Sequence, residues 1–173
     1  MKQRVPTIFL KTVIVLIGIT SLIFGIFLLP KFANAMSVFV PEAAFFKLPF
    51  LICMYAAMII FFFALYQAIR LLHYIDNGKV FSDASIKTLK NMKIAGTLMT
   101  ALFYLAGMPA VYLVAQMEDA PGLVIIGFGM ASVPLIVAIF VAVLQRLLQE
   151  AIIIKSENDF TCLLYTSPSP RDA

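Results

Sequence analysis

Residues 50–69 read FLICMYAAMIIFFFALYQAI, a run with no charged side chain. An α-helix rises 1.5 Å per residue, so about 20 apolar residues cover the roughly 30 Å hydrocarbon core of a bilayer. Three further stretches are equally free of charge: Thr12 to Leu29, Ile94 to Met117 and Ala120 to Gln145. In lipid every backbone N–H and C=O must be paired within its own segment, which makes each stretch a helix. The fold expected is therefore all-α, an integral membrane four-helix bundle.

Composition and charge agree. The 173 residues are 62% hydrophobic and 13% charged, whereas a soluble domain needs about 25% charged residues to cover itself with polar surface. A net charge of +4 is too small to argue for direct nucleic-acid binding. The placement of the charges says more. Lys2, Arg4 and Lys11 precede the first span; Arg70, Lys79, Lys87, Lys90 and Lys93 lie between the second and third; Arg146 and Lys155 follow the fourth. Of lysine and arginine the opposite loops hold only Lys31 and Lys47 in one and none in the other, which instead has Glu118 and Asp119. The positive-inside rule then puts both termini in the cytoplasm.

Both ends of the chain raise processing questions. Cys162-Leu-Leu-Tyr-Thr-Ser-Pro-Ser-Pro-Arg-Asp172 breaks with everything before it and resembles the translation of a transposon-end adapter used in sequencing libraries. The expected organisation is a four-span membrane domain over residues 1–161 and an adapter-derived, disordered tail over 162–173. Setting the tail aside removes Arg171 and Asp172 together and leaves Cys53, inside the second span, as the remaining cysteine. Neither an intrachain disulfide nor a cysteine metal site is then available. At the other end, a basic start, an apolar run and Ala33-Asn34-Ala35 resemble a signal peptide. The run from Thr12 to Leu29 is longer than a signal core and long enough to span, which favours an uncleaved anchor.

The loop between the second and third spans carries the clearest local signals. Asp76-Asn77-Gly78 should close the second helix, with glycine supplying the left-handed residue. Ser82 reads as an N-cap, Phe81 and Ile86 as a hydrophobic staple, and Asp83 as a first-turn acid. Ser85 stands where a capping box would have Glu or Gln. Lys87, Lys90 and Lys93 then recur every third residue, with Ile86, Leu89 and Met92 on another face. Lysines beside a bilayer anchor topology, and they also contact anionic headgroups or an acidic partner.

Within the spans the chemistry is sparse. No Asp, Glu, Lys, Arg or His interrupts the four apolar runs, and such residues are what ion-coupled transport normally uses. Tyr66, Gln67, Thr97, Thr100, Tyr104, Thr20, Ser21 and Ser132 are polar groups of the kind that bond a neighbouring helix or their own backbone. Gly18 with Gly25, and Gly127 with Ala131, permit close helix packing; Pro109 and Pro134 each remove a backbone donor. His73 is the sole histidine and sits at headgroup level with no catalytic companion. Catalytic, metal and cofactor sites are not expected. Arg146 with Glu150, and the apolar Leu144, Leu147, Leu148, Ala151 and Ile152, carry helix to about Lys155, after which Ser156 to Thr161 is expected to leave it as an acidic segment.

Gly78-Lys-Val-Phe-Ser82, Lys87-Thr-Leu-Lys90 and Leu148-Gln-Glu-Ala-Ile through Lys155-Ser-Glu-Asn-Asp-Phe-Thr161 together resemble the bacterial membrane family catalogued as domain of unknown function 2975, over most of residues 8 to 161. In that family the chain commonly ends just after the motif seen here as Glu157 to Thr161, and members are often encoded beside a small helix-turn-helix regulator. The resemblance implies a non-enzymatic partner or sensor for such a regulator in the bacterial cytoplasmic membrane, and it assigns no catalytic residue. Expected contacts are the lipid bilayer, a cytosolic DNA-binding regulator and, compatibly with the pattern, further copies of the chain. On that reading Lys87, Lys90, Lys93, Glu157 and Asp159 carry the function, with Gly78, Phe81 and Ser82 capping the helices beside them. The alternative is a small immunity or transport-like protein acting within the bilayer, for which Tyr66, Gln67, Thr100 and Tyr104 would matter.

Overall fold

The computed structural model describes residues 4–39 and 44–166, and all of its regular structure there is helical. Five α-helices follow in order: α1 Arg4–Phe39, α2 Ala44–Asp76, α3 Asp83–Leu102, α4 Met108–Met117 and α5 Gly122–Thr166, with a π-helical turn at Phe103–Gly107 joining α3 to α4. Taken with that turn, α3 and α4 form one crossing, so the helices make four candidate spans. At most 22% of any span is buried against the rest of the chain, which is what a lipid-facing surface requires.

The π turn has a local cause. Pro109 offers no N–H, and the Met108 N–H bonds the Phe103 carbonyl five residues back. The wider turn absorbs the register change, a common way to keep a proline inside a crossing helix. Pro134 does not divide α5.

Each helix packs mainly on its sequence neighbour: α1 on α2, α2 on α3, and both α3 and α4 on α5. The row is open, because α1 makes at most marginal contact with α5. Small residues set the closest approaches. A methyl group placed on Gly96 would lie 2.8 Å from the Ala138 methyl and 3.1 Å from the Pro134 carbonyl oxygen, so α3 and α5 nearly touch there. Gly127 meets Val111 of α4, and Gly25 lies under Met58 of α2. The buried face of α3 is accordingly small and partly polar, Ser85, Thr88, Leu89, Ala95 and Thr100. Of the expected apolar stripe, Leu89 is buried while Ile86 and Met92 are half-buried.

One end of the row holds a cluster of Ala33, Phe50, Met54, Ala106 and Ala110. Ala33 and its neighbours are thus helical and packed on α2 rather than an extended segment. The tight turn into α5 places Asp119 at φ 47, a conformation Asp tolerates better than most residues.

The far end of α5 departs from expectation twice. Ser156 to Thr161 does not leave the helix, and the segment from Cys162, expected to be disordered, continues as helix to Thr166. Residues 167–173 lie outside the described residues. The reason is local: no glycine or proline falls between Pro134 and Pro168, and the hydroxyls that could have capped an end bond backward instead. Ser156 Oγ donates to the Ile153 carbonyl at 2.8 Å and Thr161 Oγ1 to the Glu157 carbonyl at 2.7 Å. At 1.5 Å per residue α5 is about 67 Å long, roughly twice the hydrocarbon core, and its residues from Ile153 to Tyr165 are exposed.

Candidate functional site

The α2–α3 connection is built from backbone requirements outward. Gly78 takes φ +67, the Lys79 N–H reaches the Tyr74 carbonyl at 2.9 Å, and the Gly78 N–H reaches Ile75 at 3.1 Å. These two bonds are a Schellman motif, and they turn the chain sharply at the end of α2. Ser82, extended at φ −134 and ψ 152, accepts the Ser85 N–H at 3.4 Å. The Ser82 and Ser85 hydroxyls both donate to the Lys79 carbonyl, at 2.8 and 3.2 Å. Ser85, fully buried, closes the loop onto α3 from the position a capping-box Glu would occupy. A cap of this kind contributes about 1 kcal/mol and holds the start of α3, with its lysines, at a defined height.

Phe81 is half exposed rather than sealed against Ile86, and the Lys155 ammonium of α5 lies 5.7 Å from its ring centre. That cation–π contact ties α5 to the loop. On α2, Arg70 Nε donates to the Tyr74 hydroxyl at 2.9 Å with its guanidinium over the same ring, and His73 Nε2 pairs with the Asn77 amide at 3.0 Å.

The strongest long-range polar contact at this end has no counterpart in the motif analysis. Lys11 Nζ of α1 bonds Oδ2 of Asp76 at the last turn of α2. The pair bridges residues 65 apart in sequence and is half-buried. Its signal was present in principle, as opposite charges on the same side of two consecutive spans. Nothing in hydropathy alone says that the two face each other.

The residues expected to carry function divide sharply. Lys87, Lys90, Glu157 and Asp159 are exposed and Lys93 half-buried; among the described residues none makes an ion pair. The lysines stand at the start of α3 and the acids on the projecting part of α5, so both groups lie at the end marked by Lys11 and Asp76 but do not meet. Arg146 and Glu150 do pair, at 3.3 Å, in full contact with solvent, and such a pair adds at most a few tenths of a kcal/mol.

Thr100 and Tyr104, two of the expected polar residues of the spans, are hydrogen-bonded. Thr100 Oγ1 donates to the Gly96 carbonyl of its own helix, while Tyr104 bonds Ser132 across α5 at 3.0 Å, its ring edge-on to Phe128. Tyr66 is exposed on the lipid side. Gln67 differs: its side chain is buried, yet Oε1 has no partner among the described residues. No group of three metal-ligating residues occurs among those described.

The comparisons with known proteins follow the same lines. Residues 31–162 match the model of a family described as protein of unknown function (DUF2975). The chain belongs to this family. It is also 49% identical, over 159 residues, to the uncharacterized membrane protein YoaS of Bacillus subtilis (strain 168), an alignment covering 92% of this chain and 99% of the relative. No solved structure matches. The family match spans the second to fourth crossings, the α2–α3 loop and the acidic stretch of α5, and so takes in every residue of the charged surface beyond α1.

Proposed function

We propose that this is a non-enzymatic protein of the bacterial cytoplasmic membrane that docks a cytosolic helix-turn-helix regulator on its charged end. The observation that supports the reading is the set of exposed, unpaired charges there, Lys87 and Lys90 at the start of α3 and Glu157 and Asp159 on the part of α5 that projects past the helical row. Charge is the specific chemistry this surface has to offer a partner, so docking depends on complementary charge and weakens as salt screens it.

Replacing Lys87, Lys90 and Lys93 together with Gln releases a co-expressed helix-turn-helix partner from the membrane fraction while the protein stays inserted. Co-fractionation in wild-type and mutant membranes, repeated across a salt series, measures this. A partner that never co-fractionates with wild-type membranes, or that remains after the lysines are gone, overturns the docking surface. The acting site would then be sought in the bilayer, where Gln67 has the one buried polar atom left without a partner among the described residues.

The same reading puts both termini in the cytoplasm. Reporter fusions after Lys93 and after Thr161 report a cytoplasmic location, and a fusion between Glu118 and Gly122 an external one. An external signal at Lys93 would overturn the orientation, and the lysine mutant is checked with the same fusions because lysines also set topology.

A further inference from the structure

We infer that the groove between α2 and α3 is a binding site for one anionic glycerophospholipid, with an acyl chain lying in the groove and the phosphate held by Arg70 and Lys87. The groove has a volume of about 280 Å³ and is walled by Ile59, Ile60 and Phe63 of α2 and by Ile94, Ala95 and Leu98 of α3, with Asn91 as its polar member.

Helical periodicity carries the argument from the groove to its rim. Positions 59, 63, 66 and 70 of α2 fall on one stripe, as do 98, 94, 91 and 87 of α3, since eleven residues at 3.6 per turn return to within about 20° of the start. The helices run antiparallel, so both stripes pass from apolar to polar toward the same end. Ile59 and Phe63 lead to Tyr66, 60% exposed, and then to Arg70; Leu98 and Ile94 lead to Asn91 and then to Lys87. The order matches a phospholipid entering from that leaflet: hydrocarbon against the branched side chains, ester oxygens level with Tyr66 and Asn91, phosphate level with the two cations.

The cations are free for the purpose. Arg70 is oriented by Tyr74 through its Nε, and neither Arg70 nor Lys87 has a carboxylate within 4.0 Å among the described residues. Asp83, one turn before Lys87, is not paired with it. Lys90 and Lys93 lie about 60° and about 120° round α3 from Lys87, which turns them away from the groove. A concave apolar site with a few convergent polar groups binds a specific ligand, and basic pockets between spans on the cytoplasmic side select anionic headgroups. The site uses none of the partner chemistry proposed above except Lys87, and it is testable with no regulator present.

The full-length protein, purified in a neutral detergent, is titrated with phosphatidylglycerol or phosphatidylcholine, and bound lipid is counted by native mass spectrometry. One phosphatidylglycerol should bind at least tenfold more tightly than phosphatidylcholine, and soluble glycerol phosphate should not compete with it. Arg70→Gln with Lys87→Gln should remove that preference, whereas Lys155→Gln should keep it. Ile94→Trp, which fills the groove and leaves both cations in place, should also remove it. Equal binding of the two lipids, an unchanged preference in the double variant, or retention by Ile94→Trp would overturn the site; the last result would mean that surface charge alone attracts the lipid.

Discussion

Gly96→Leu should destabilise the protein more than any other single change at a helix contact described above. The position already has the Ala138 methyl 2.8 Å and the Pro134 carbonyl oxygen 3.1 Å from where a first side-chain carbon would stand. Neither neighbour can yield easily, since one is a rigid methyl and the other is backbone. A leucine therefore forces α3 and α5 apart, and the loss extends along an interface that in membranes depends on close packing rather than on a hydrophobic drive. Overpacking of this kind costs about 1–3 kcal/mol. Unfolding in mixed micelles by titrated denaturing detergent measures the cost. Gly129 supplies the control, because nothing lies within 4 Å of its added carbon. Gly129→Leu should shift stability by less than about 0.5 kcal/mol. Equal behaviour of the two variants would mean that α3 and α5 are not in close contact.

Asp76→Asn should loosen α1 from α2. The half-buried Lys11 ammonium would keep a neutral acceptor but lose the charge that it pairs with across the two helices. α1 depends on this tie more than the other helices would, because it packs on α2 and makes at most marginal contact with α5. The thermal midpoint in detergent should fall by several degrees, and protease access to the start of α1 should rise. Exchanging the pair, Lys11→Asp with Asp76→Lys, should recover most of the loss. A double exchange no better than Asp76→Asn alone would show that the contact contributes through Asp76's other partners and not through the ion pair.

Much of the architecture was legible without coordinates because the bilayer is a severe solvent. Four uncharged runs of spanning length admit one secondary structure, and the helix stop at Gly78 and start at Ser82 follow from backbone geometry that few other residues satisfy. The end of α5 was misread for the opposite reason. Ser, Asn, Asp and Thr occur both in caps and on exposed helix, and without glycine or proline the helical propensity of the preceding turns continued through them.

What the chain determined alone was therefore the number of crossings, their helical nature, the loop between the second and third, and the charge that marks one end. Tertiary structure decided which residues share a depth and a face. It brought Lys11 to Asp76, set Lys155 over Phe81, left Gln67 Oε1 without a partner among the described residues, and set Ile59 and Phe63 of α2 across a groove from Ile94 and Leu98 of α3. The physical reason is that hydropathy reports transfer into lipid and is the same all round a spanning helix. Rotation and register are set instead by where small residues such as Gly96 and Ala138 allow two backbones to meet, and those contacts have no periodic signature in the sequence.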